Sequence, residues 1–129
     1  MRPQHGEGAK YQQKFLGLLR RYEFDSKLQR MSVYAKHYLD NSYSLFVKGS
    51  PEKIIELSKR DTIPENVDLI LNDYTQRGYR VIVLGYRNIN MTYDKLMVTH
   101  RNEVEKDLIF LGFLIMQNKL KAPTINIIN

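Results

Sequence analysis

The chain has 129 residues, 43% of them hydrophobic and 26% charged, with a formal net charge of +6; that length fits one domain with a real core, and that balance excludes a disordered chain. The absence of cysteine excludes disulfides and thiol catalysis, the scattered His5, His37 and His100 do not form a metal-binding pattern, and no apolar run approaches the ~18 residues of a membrane span. Positive charge favours anionic partners such as nucleotides, nucleic acid or acidic lipid, without choosing among them.

Residues 1–13 lack the apolar stretch of a signal peptide and read as a flexible tail. Phe15 to Phe24 reads as a strand, and Asp25-Ser26-Lys27 supplies turn chemistry. From Gln29 to Lys36, Met31, Val33 and Ala35 alternate with Arg30, Ser32, Tyr34 and Lys36, which predicts a second strand with the first set on the core side and the second facing outward. Met31 is assigned to packing and Tyr34 to the surface. Leu39-Asp40-Asn41-Ser42 is a hairpin loop that pairs this strand antiparallel with Tyr43 to Lys48.

The third strand runs into Lys48-Gly49-Ser50-Pro51-Glu52, which has helix-start chemistry: a hydroxyl N-cap, proline at the first helical position and an acid in the first turn. A cation at a strand end beside free helix N–H groups suits an anionic ligand. Glycine lacks a Cβ and would let a flat ligand or its phosphates approach the backbone. On these residues alone, the plainer reading of Lys48 is a solvated lysine at a strand end.

A helix from Pro51 to about Ser58 buries Ile54, Ile55 and Leu57, and Thr62-Ile63-Pro64-Glu65 has capping-box spacing for a second helix with Val67, Ile70, Leu71 and Tyr74 on one face. Gly78 ends it. Tyr79 to Tyr86 is nearly all apolar, as expected of a central strand covered on both faces, with Arg80 at its entrance. Thr92 caps a third helix whose stripe of Tyr93, Leu96, Met97, His100 and Val104 predicts a packed histidine at position 100. Leu108 to Met116 is the last strand, and 119–129 reads as an exit from a domain spanning 14–118. The sum is an α+β fold, a twisted antiparallel sheet of about five strands with about three helices packed against it.

Three stretches in this order, Tyr22-Glu23-Phe24-Asp25-Ser26-Lys27-Leu28-Gln29-Arg30-Met31-Ser32-Val33, Lys48-Gly49-Ser50-Pro51-Glu52 and Gly78-Tyr79-Arg80-Val81-Ile82, resemble the nucleotide-binding (N) domain of P-type ATPases. These are the cation and lipid pumps that pass through an aspartyl-phosphate. Leu28 to Val33, together with Leu111 to Lys121, is similar to the fifth class of that family, in its branch of endolysosomal polyamine and cation pumps. The resemblance implies that Phe24 stacks on adenine, that Lys48 lines the adenine pocket while Gly49 leaves room for the ring, and that Arg80 reaches the phosphates. It also implies that Gln29 and Arg30 lie along the ribose and phosphate side. A planar base suits an aromatic face, and a triphosphate suits the fixed fork of an arginine.

The chain carries no Asp-Lys-Thr-Gly phosphorylation segment, no actuator loop, no magnesium-binding acid motif and no membrane helix. By the resemblance it is a fragment that binds ATP or ADP as a monomer without turning it over. Mg2+, the phosphorylation and actuator domains and the membrane then belong to the parent pump, with the N domain on the cytosolic face of an endomembrane and residues 119–129 as part of a hinge. Affinity should be low: a base stack contributes ~1–3 kcal/mol against an association cost of at least ~4 kcal/mol, which implies a dissociation constant of about 0.1–10 mM.

Two rival readings stand beside this one. Arg20, Arg21, Tyr22, Phe24, Arg30 and Tyr34 mix basic and aromatic groups on strands, as a single-stranded nucleic-acid-binding module does, although Ser50-Pro51 after Lys48-Gly49 departs from the RNA-recognition signature. The other rival is an N domain that has lost its ligand and serves as an interaction surface. A stand-alone kinase or hydrolase lacks support, since no Walker loop, paired carboxylates or nucleophile with an adjacent base is present.

Overall fold

The computed structural model describes residues 15–40 and 42–117, with side chains from residue 19 onward. The tail expected at 1–13 and the exit expected at 119–129 lie outside the described residues. Five strands, β1 (Phe15–Asp25), β2 (Arg30–His37), β3 (Tyr43–Gly49), β4 (Arg80–Ile89) and β5 (Ile109–Met116), form one antiparallel sheet whose spatial order is the sequence order. The β3–β4 connection carries α1 (Pro51–Leu57), a 3-10 turn (Arg60–Thr62) and α2 (Val67–Gln76). The β4–β5 connection carries α3 (Tyr93–Val98) and α4 (Arg101–Val104). The α+β antiparallel sheet expected from the sequence is therefore the fold observed.

Helices cover one face of this sheet. Ile54 of α1, Leu96 of α3 and Val104 of α4 pack in one cluster with Tyr22, Tyr34, Leu45, Val47 and Val83 from the strands. Full burial of each Ile or Leu contributes about 1.5–3 kcal/mol, so this layer anchors both connections to the sheet.

From Met31 to Tyr34 the burial of β2 is the reverse of the expected one, while Ala35 is buried as expected. Ser32 and Tyr34 are 1% and 0% exposed beneath the helices, whereas Met31 and Val33 are half-buried on the opposite face. The cause is a buried polar network that compensates their desolvation. Glu105, just after α4, accepts from Arg30 Nε at 2.6 Å and from Ser32 Oγ at 2.6 Å. The Tyr34 hydroxyl lies 3.0 Å from the Tyr22 hydroxyl, which donates to Thr99 O at 2.6 Å. Burial and that neighbouring phenol push the Tyr34 hydroxyl well above its ordinary pKa, so it stays a donor.

Other expectations change for similar local reasons. β4 is covered on one face only: Val83 and Gly85 are buried, while Ile82, Leu84 and Tyr86 are half-buried on the open side. The third helix breaks at Thr99 and His100, both in extended backbone. Thr99 O there accepts from Arg20 Nη1 at 2.9 Å as well as from Tyr22, so strand side chains take a carbonyl that a continuous helix would have used. His100 is exposed at the start of α4 rather than packed. The capping box at Thr62 does not form, because Thr62 Oγ1 donates to Lys59 O and accepts from Phe110 N–H; α2 starts later, at Val67. Gly78, with φ 88°, ends α2 as expected.

Candidate functional site

Directly opposed residues in an antiparallel pair share a face. Met31 opposes Lys48, Val33 opposes Phe46, Lys48 opposes Leu84 and Arg80 opposes Met116. Met31, Val33, Phe46, Lys48 and Leu84 therefore line the face without helices, and Arg80 enters the same face four residues before Leu84. Met31, Val33, Phe46, Lys48, Leu84 and Leu111 wall an open groove of about 240 Å³. Gly112 opposes Leu84, and a Cβ there would meet nothing within 4 Å, so this side of the groove stays unobstructed. Lys48 and Arg80 are both exposed. An apolar slot with cations on its own face suits a flat, weakly polar ring that carries an anionic group.

Phe24 lies at the end of β1 and is 63% exposed. The next residue builds the turn: Asp25 Oδ1 accepts from Lys27 N–H at 2.8 Å and from Leu28 N–H at 3.1 Å. The Leu28 and then the Lys27 amide hold the Asp25 carboxyl below its usual range. Gln29, with φ 57°, closes the turn by donating its N–H to Asp25 O at 2.6 Å.

The Phe24 turn is joined to the Lys48 turn. Ser50 N–H donates to Gln29 O at 3.1 Å, and Ser50 Oγ donates to Gln29 Oε1 at 3.0 Å. Ser50 thus occupies the N-cap position of α1, but its hydroxyl serves this link and makes no cap hydrogen bond. Gly49 is required by the same approach: a Cβ would sit 2.4 Å from Gln29 O and 2.7 Å from Arg30 Cβ. The space that a Cβ at position 49 would take is filled by the chain itself.

Of the residues singled out in the sequence, Lys48 and Arg80 are brought to the open face, and Phe24 stands on the turn tied to Lys48. Gln29 and Gly49 hold the two turns together. Arg30 goes to the covered face, 8% exposed and ion-paired with Glu105, so it is separated from the groove by the sheet. Tyr22, Arg30 and Tyr34, half of the basic and aromatic set that suggested nucleic-acid binding, are buried and offer no strand surface. Met31 and Leu84 were missed as groove walls, although β alternation from Lys48 and Arg80 points to both. Glu105 and Arg101 carried no sequence signal as partners of β2.

A family model described as P-type ATPase, cytoplasmic domain N, matches residues 5–123. The chain is 39% identical over 111 residues to the polyamine-transporting ATPase 13A3 of Mus musculus, an alignment covering 84% of this chain and 9% of that protein. It is 44% identical over 111 residues to the vacuolar cation-transporting ATPase YPK9 of Saccharomyces cerevisiae, covering 85% of this chain and 8% of that protein. With the cation-transporting ATPase catp-5 of Caenorhabditis elegans the identity is 36% over 128 residues, covering 97% and 10%. The chain thus spans 8% to 10% of the length of these relatives.

Proposed function

Because the chain belongs to the family of P-type ATPase cytoplasmic N domains, we propose that it binds ATP on the open face of its sheet and presents it to the phosphorylation domain of a longer pump. The observation that carries this reading is the apolar groove with exposed Lys48 at its wall and exposed Arg80 on the same face. Adenine lies in the groove against Met31 and Leu84, and Phe24 stacks on it from the turn beside Lys48. Arg80 donates to the phosphates, and Gln29 borders the ribose. Gly49 and Arg30 act through the scaffold.

Among the described residues no group of three or more His, Cys, Asp or Glu is placed to hold a metal. Membership of the family assigns Mg2+ to the full pump, and no step here passes through it. In that parent the aspartyl-phosphate chemistry and the transport of a cation or polyamine lie in other domains. In this reading 14–118 is the nucleotide-binding unit on the cytosolic face of an endomembrane, and 119–129 is the exit toward the phosphorylation domain. No described helix is long and apolar enough to cross a membrane.

A parallel titration with ATP and with single-stranded RNA tests the reading. Saturable millimolar ATP binding without tighter RNA binding supports it. RNA bound far more tightly than ATP, with a steep loss of affinity on adding salt, overturns it.

A further inference from the structure

We propose that Arg101 is a positioning residue for the nucleotide site, holding the turn that carries Phe24 from the opposite side of the sheet. The inference rests on the reading of Phe24 as the adenine-stacking residue. Phe24 is 63% exposed as a residue, so packing does not fix its position and the backbone on either side must. Arg101 Nη1 donates to Glu23 O at 2.9 Å, one residue before Phe24. Arg101 Nη2 donates to Arg30 O at 3.1 Å, one residue after the turn. A single planar guanidinium therefore bridges both ends of the segment 24–29, which a lysine ammonium on a flexible stem cannot do with the same geometry.

The guanidinium is itself immobilised. Its Nε donates to Glu105 Oε1 at 3.0 Å and its Nη2 to Glu105 Oε2 at 3.0 Å, a bidentate pair with a carboxylate that is 1% exposed as a residue. Arg30 Nε and Ser32 Oγ, each at 2.6 Å, fix the same carboxylate from β2. The Arg101 guanidinium carbon also stands 5.5 Å from the centre of the Tyr22 ring, two residues before Phe24. The chain from Ser32 through Glu105 and Arg101 to Glu23 O thus ties the stacking turn to the buried core. A turn ordered in advance loses little freedom when ligand arrives, and that preorganisation is what Arg101 contributes.

The test compares the full chain with Arg101→Lys and Arg101→Met, using Ile54→Val, at a fully buried position outside the Glu105 hydrogen-bond network, as a control that lowers stability alone. Three quantities are read: urea midpoint, ATP dissociation constant, and amide hydrogen exchange without ligand at Lys27, Leu28 and Gln29 relative to β3. Arg101→Lys is expected to weaken ATP about 3–10-fold and to accelerate exchange selectively in the turn, with the saturating shifts at Lys48 and Arg80 unchanged. Ile54→Val is expected to lower the midpoint alone. Unchanged ATP affinity in Arg101→Lys, or exchange accelerated equally in the turn and β3, overturns the proposal. If the parent chain itself fails to bind ATP, the nucleotide reading fails by that result, and selective loosening of the turn still decides whether Arg101 holds it. If Arg101→Met does not fold, Arg101→Lys alone decides.

Discussion

Ser50 and Gln29 meet twice, backbone N–H to carbonyl at 3.1 Å and hydroxyl to side-chain amide oxygen at 3.0 Å. Through this one pair the turn that follows Phe24 and the turn that carries Lys48 become a single rigid edge of the sheet. The turns beside the two proposed ligand-binding residues, 24 positions apart in the chain, are thereby tied together before any ligand arrives.

Gly49→Ala attacks that edge directly. The new Cβ would sit 2.4 Å from Gln29 O, a backbone atom that cannot swing away, so the turns must separate. We expect destabilisation of about 1–3 kcal/mol, seen as a lower urea midpoint, together with weaker ATP binding. An unchanged midpoint would mean that the two turns adjust to each other freely.

Glu105→Ala should be the more damaging change. It leaves the Arg30 and Arg101 guanidinia without their shared carboxylate, which itself has no exposed side-chain surface. Breaking such a buried pair costs about 3–5 kcal/mol, whereas Ser32→Ala removes one neutral donor to the carboxylate and costs about 1.5–3 kcal/mol. Urea denaturation of the two variants ranks them, and the reverse order would contradict the network described.

Arg80→Ala separates base from phosphate recognition. Arg80 is exposed and starts β4 on the groove face, so its loss should weaken ATP about tenfold, the low end for a charge-assisted hydrogen bond, and leave adenosine unaffected. Equal losses for ATP and adenosine would remove Arg80 from the phosphates.

Asp25 makes the Phe24 turn sensitive to acid. Its carboxyl pKa is lowered from 3.8 by the Leu28 and Lys27 amides, so the folded state favours the ionised form. The resulting stabilisation is complete above pH ~4 and is lost as pH falls through the lower folded value. Lys27 and Leu28 amide shifts should therefore titrate below pH ~4, and Asp25→Asn should abolish that titration while β3 shifts stay constant.

Much of the fold was legible because its signals are local. The Leu39-Asp40-Asn41-Ser42 loop, proline after Ser50 and glycine at 78 set boundaries by their own backbone preferences, and the strands fall where the apolar runs are. What local pattern could not show is which face of β2 is covered. Met31 and Val33 look like core residues, yet Ser32 and Tyr34 are buried in their place because Glu105, 73 residues beyond Ser32, and Tyr22 satisfy their hydroxyls, and Ala35 alone of the expected set is buried. The same long-range network breaks the third helix at Thr99, where strand side chains claim the carbonyl. At the candidate site, motif order singled out Lys48 and Arg80, which the sheet brings to its open face, whereas the neighbours of Gly49 and Arg30 depend on contacts that join distant segments.

The measurement that tests the central claim most directly is an ATP titration followed by amide chemical shifts of the whole chain. Saturable shifts with a dissociation constant of about 0.1–10 mM, clustered at Phe24, Met31, Lys48 and Arg80 and absent from the covered face near Ile54 and Leu96, are the predicted result. No shift up to ~10 mM, about −2.7 kcal/mol, or shifts centred on the helices instead, would contradict nucleotide binding on the open face.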